Sequence, residues 1–178
     1  GYTSRDGEFW VATQNYNLFR VDPFYKPINN LKTGAPVNNF LEDMSGNLWL
    51  ATGLGLLKYD KHKNLIQQIK HDPSNPAGIP DDRVSSLFQD KQNIIWIGTL
   101  SGLRILNTET NKFTDLQNIK PFKDSLLIGY VKIIKDNQGI LWFTTWGLGL
   151  NSYNPADKSY KQFLNKENDS TTIASNLL

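Results

Sequence analysis

Three aspartates, Asp43, Asp90 and Asp136, recur at one place in a repeated pattern and are the first candidates for chemistry. A carboxylate can work in a pair as general acid and base, or join other oxygens around a cation. Catalytic carboxyl pairs sit about 5–10 Å apart. Spaced one repeat from the next, these three would lie tens of ångströms apart at roughly 3.3 Å per strand residue. Their expected role is to hold a turn. Asp43-Met44-Ser45-Gly46-Asn47 also lacks the ligand spacing and terminal glutamate of an EF-hand loop. The repeated threonines, Thr13, Thr52, Thr99 and Thr145, have no base nearby and are expected to hydrogen-bond between strands. The two histidines, His62 and His71, lie in polar links with no second ligand at metal spacing, as solvated surface residues do. With no cysteine there is no disulfide, thiolate nucleophile or cysteine-bound zinc. No P-loop or G-x-S-x-G element is present, and Gly53-Leu54-Gly55 and Gly147-Leu148-Gly149 are short hairpin glycines. The sequence therefore predicts no catalytic residue, no metal site and no cofactor.

These residues are positioned by a repeat. Asp43 to Thr52, Asp90 to Thr99 and Asp136 to Thr145 share one pattern, in which threonine follows tryptophan by three residues. A fourth copy, Ser4 to Thr13, carries serine in place of the aspartate. The tryptophans Trp10, Trp49, Trp96 and Trp142 are 39, 47 and 46 residues apart. Periods of this size mark stacked supersecondary units. Each unit reads as four strands. The first, such as Val37 to Glu42, enters a tight turn, where glycine or asparagine permits positive φ and aspartate bonds backbone N–H groups two residues on. The second, such as Leu48 to Ala51, is apolar on both faces, as a strand covered on both sides must be. A third, such as Leu56 to Tyr59, ends at an Asx turn, and the fourth is a more polar outer edge. Four strands per unit is the pattern of propeller blades. The expected class is all-β, with about four four-stranded antiparallel blades at approximately 1–36, 37–83, 84–129 and 130–178. The tryptophans are expected in the core between blades. Cut in phase, four blades' worth of sequence allows a closed four-bladed ring or an arc of a larger one.

Composition narrows the function. Lys and Arg number 19 against 17 Asp and Glu, a net charge of +2 without basic or acidic blocks, which offers nothing to nucleic acid or an anionic membrane. No run approaches the roughly 18 apolar residues of a membrane span. The chain starts and ends inside repeats, so it is expected to be a piece of something longer, with targeting and membrane segments outside it.

Asp-x-x-Gly-x-Leu/Ile-Trp-x-x-Thr, then Gly-Leu, then an aromatic and Asp/Asn, resembles the two-component regulator propeller repeat, across essentially the whole chain. Asn93 replaces the turn glycine in the third copy, and Leu100-Ser101 precedes Gly102 there. The resemblance implies seven-bladed rings in the periplasmic or extracellular sensor region of a hybrid histidine kinase anchored in the inner membrane. It also implies recognition of carbohydrate fragments, commonly by a homodimer, and no catalysis by this segment. On that ground an arc is preferred to a closed ring. The alternatives are a propeller enzyme acting on polysaccharide, a lyase or glycosidase, and a protein-interaction propeller marked by an exposed apolar patch.

One departure from the repeat concerns ligands. The bends after Thr13 and Thr145 are one residue longer than those after Thr52 and Thr99, and both carry an aromatic, Tyr16 and Trp146. An aromatic face beside amide groups suits a sugar. Trp146, Tyr16, Asn15 and Gln14 are accordingly the candidate recognition residues.

Overall fold

The structure, a computed structural model, describes residues 2–3, 9–13, 17–21, 29–91, 93–115 and 130–177. Among these residues the chain makes four sheets of four strands, each taken in chain order, and no helix. The first sheet is β1 (Tyr2–Thr3), β2 (Phe9–Ala12), β3 (Asn17–Val21) and β4 (Asn29–Lys32). The second is β5 (Val37–Glu42), β6 (Leu48–Thr52), β7 (Gly55–Tyr59) and β8 (Leu65–Ile69). In the third, β9 (Val84–Lys91), β10 (Ile94–Thr99), β11 (Gly102–Asn107) and β12 (Lys112–Asp115) follow. The fourth holds β13 (Tyr130–Lys135), β14 (Leu141–Thr145), β15 (Leu150–Asn154) and β16 (Ser159–Phe163). Every neighbouring pair is antiparallel, so each sheet is a meander and the reading as blades holds. The strand bounds expected from apolar runs agree within a residue or two.

Alternation along the second strand explains the stacking. Trp49 and Ala51 of β6 join Val84, Leu87, Ile95 and Ile97 of the third blade. Leu48 and Leu50 of the same strand join Trp10 of the first blade. Trp96 meets Ile133, Leu141, Phe143 and Tyr153 of the fourth blade. Each indole thus points at the following blade, and its two chain neighbours point back. Three of the four tryptophans are buried, as expected of an inter-blade core. The fourth departs from that expectation. Trp142 is only partly buried and stacks on Phe163 of its own blade, ring centroids 5.7 Å apart. Ile134, on the same face by register, is 50% exposed. At the other extreme Phe9 occupies the position of the buried Leu48 and is 45% exposed. Among the described residues, no blade covers either face.

The turn aspartates do more than the sequence suggests. Asp43 Oδ1 accepts from the N–H groups of Ser45 and Asn47, each at 2.9 Å, which fixes the turn. Its Oδ2 accepts from Trp49 Nε1 at 2.8 Å. Asp136 repeats this with Gln138, Ile140 and Trp142 Nε1, at 2.9, 2.9 and 2.8 Å. The Trp142 bond is the main reason the Asp136 carboxyl lies below the usual carboxylate range. Asp90 is an exception: it lies within β9 and not in a turn.

Candidate ligand-binding face

One end of the blades carries the bends between second and third strands, and in the second, third and fourth blades the repeat threonine closes the bend. Thr52 Oγ1 donates to Gly55 O at 2.7 Å and accepts from Leu54 N at 3.1 Å. Thr99 does the same with Gly102 and Ser101, at 2.8 and 3.3 Å. Thr145 serves Gly149 and Leu148, at 3.0 and 3.2 Å. These threonines bond across the hairpin bend, as expected of them. Thr13 directly follows β2 and is partly buried. Glycine is required beyond them. Gly55 has φ 106°, and a Cβ there would overlap the Ile69 carbonyl oxygen. Gly55→Ala is therefore expected to lose about 1–3 kcal/mol of stability, checked by chemical denaturation.

Among the described residues, the links that follow β8 and β16 cross the same end as straps. Gly55 N donates to Asp82 O at 2.8 Å. Asp82 Oδ1 accepts from His71 N at 2.6 Å, and His71 Nδ1 lies 2.9 Å from Ile79 O. The strap after the fourth blade repeats this with amides. Gly147 N and Gly149 N both donate to Asn176 O at 3.0 Å. Asn165 N donates to Asn176 Oδ1 and Asn165 Nδ2 to Ile173 O, each at 2.6 Å. In the earlier strap Asp81 accepts a two-pronged bond from Arg83 and a third from Ser101 Oγ at 2.7 Å, tying strap to bend. The Arg83 bond holds the Asp81 carboxyl well below the usual carboxylate range.

On this end Trp146 stands out at 66% exposed. Its backbone bridges to Leu177 of the strap, itself largely exposed. An indole and a leucine therefore share an apolar platform held by the Asn176 clasp. Two residues on from Trp146, Leu148 O accepts from Gln162 Nε2 and from Nδ2 of the buried Asn151, both at 3.3 Å, and Tyr160 OH donates to Asn151. Along the same strap lies an open hollow of about 600 Å³, with Asn165, Glu167, Asp169, Thr172 and Ile173 on its wall. An exposed ring face beside amides and hydroxyls can stack on an apolar ligand face while bonding the hydroxyls at its rim. The other candidates, Tyr16, Asn15 and Gln14, lie outside the described residues. Asn176 and Leu177 were missed as site residues. The match of strap 165–176 to strap 71–80 points to the segment, but nothing in it marks which residues meet Trp146.

Trp10, Trp49, Trp96 and Trp142 and the aspartates Asp43, Asp90 and Asp136 lie in or between blades, away from this platform. His62 and His71 are exposed. Among the described residues no three His, Cys, Asp or Glu side chains come close enough to hold a metal ion.

Comparison with known proteins gives this architecture relatives. Residues 78–101 match the family described as two component regulator propeller. The chain is 34% identical over 139 residues to histidine kinase P4 of Formosa agariphila, covering 72% of this chain and 10% of the kinase, so it spans about a tenth of that relative. The extracellular domain of a hybrid two component system from B. thetaiotaomicron superposes with a TM-score of 0.73 at 25% identity, over 96% of this chain and 23% of that one. Virginiamycin B lyase from Staphylococcus aureus superposes with a TM-score of 0.67 at 17% identity, over 94% and 55%. The propeller fold is thus shared with receptors and with an enzyme, and the fold alone does not choose between them.

Proposed function

From the premise that this chain carries the two component regulator propeller repeat, we propose that it is a non-catalytic, ligand-sensing part of a bacterial hybrid histidine kinase receptor. Its ligand is a carbohydrate fragment, bound on the strap-and-bend face around Trp146. The segment sits on the periplasmic or extracellular side of the inner membrane, within a larger propeller, and the receptor signals as a homodimer by a shift in arrangement on binding. The exposed Trp146 ring, held beside Leu177 and among amides, carries the ligand assignment. Solved relatives that are extracellular domains support the placement. The uncovered faces at Phe9 and at Ile134 support further blades on either side.

The experiment is calorimetric titration of oligosaccharides of differing composition into the chain and into Trp146→Ala. Loss of one stacking ring is expected to weaken binding about tenfold or more. Unchanged affinity in a variant with an intact circular dichroism spectrum overturns the assignment. The second reading, an enzyme acting on polysaccharide, has only the propeller fold in common with virginiamycin B lyase. Shortened or unsaturated sugar products after prolonged incubation would establish that reading in place of the first.

A further inference from the structure

The three repeat aspartates do not share one partner. Where the turn ends in glycine at positive φ, Gly46 at 81° and Gly139 at 85°, the carboxylate stays inside its blade and binds the indole N–H six residues on. The third blade has Asn93 at that place. Asparagine enters the positive-φ region more readily than most residues but, unlike glycine, at a steric cost. Strand β9 runs on to Lys91 opposite Ile94, with a register shift before Ile95, and Asp90 lies at this bulge as a strand residue. Asp90 Oδ1 then accepts from Lys135 Nζ of the fourth blade at 2.5 Å. Trp96 Nε1, with the same six-residue spacing, is left buried with no hydrogen-bond partner among the described residues. Ser86 Oγ, on the same face by strand alternation, is buried and equally unpartnered.

We propose that Asp90 has two alternative partners, Lys135 across the seam between the third and fourth blades and the Trp96 indole within its own blade, and that this exchange sets how tightly the two blades are joined. The bridged arrangement ties the blades by a charge pair and leaves an N–H without an acceptor. The clasped arrangement satisfies the N–H, as Asp43 does for Trp49, and frees the lysine. Each exchanges one charge-assisted bond for another, so the two lie close in free energy, as a two-state element requires. At the seam between second and third blades the indole is already satisfied and no such choice exists. The inference is independent of what binds at Trp146.

The test is indole ¹H–¹⁵N NMR of the whole chain, of Asn93→Gly and of Lys135→Met. Asn93→Gly permits the turn and is expected to move the Trp96 indole signal towards that of Trp49 and to slow its hydrogen exchange about tenfold or more. Lys135→Met, which leaves the turn sequence untouched, shifts it the same way. Asp90→Ala added to either variant abolishes the change. An unmoved Trp96 signal with unchanged exchange in a folded Lys135→Met variant overturns the proposal, whether or not Asn93→Gly folds.

Discussion

Trp49→Ala is expected to lower the unfolding free energy of the chain by about 3–5 kcal/mol, the largest effect of any single indole. Trp49 is fully buried between two blades and touches both sides of the seam. Its removal opens a cavity lined by Ala51, Val84, Leu87, Ile95 and Ile97, strands held by hydrogen bonds that cannot collapse inward. It also leaves the Asp43 carboxylate, itself buried, without the indole donor. Trp142→Ala is the control. The same residue type at the same repeat position has no blade beyond it among the described residues, so its truncation should cost much less. Guanidinium denaturation of both variants measures the difference, and equal losses would mean that burial by the next blade is not what the indole supplies.

The second large effect concerns Asp43→Ala. This carboxylate accepts from two turn N–H groups, the Asn47 side chain and the Trp49 indole. The orphaned indole alone should cost about 1–3 kcal/mol, and loss of the turn bonds adds to it. Asp90→Ala should lose less, because Asp90 serves no indole in this arrangement and the Lys135 ammonium it leaves is about a third exposed to water. Thermal melts of the two alanine variants decide the point. Equal destabilisation would show that the indole bond is not the energetic core of the turn.

Much of this was legible in the chain itself. The step between tryptophans and the apolar run around each one imply a strand buried on both faces; β6 and β10 are such strands, while β14 is fully buried on one face only among the described residues. Glycine and aspartate in fixed places imply the turns. What could not be read was the partner of each polar group. The aspartate and the indole it binds are six residues apart, a spacing with no meaning until the hairpin folds them together. Asp90 shows the limit: its own type recurs in the pattern, yet its partner is Lys135 of the next blade and not the indole six residues on. At the candidate site Trp146 was found as a departure from the repeat. Leu177, 31 residues further on, was not, because an isolated bridge between bend and strap leaves no periodic trace.

The two uncovered faces are unlike one another, since one carries the indole side of a blade and the other its reverse. Joining one to the other gives a directional contact that closes into a ring or grows as a fibre, according to the rotation each step imposes. A twofold pair, in contrast, sets like against like, so it cannot use both faces in one contact.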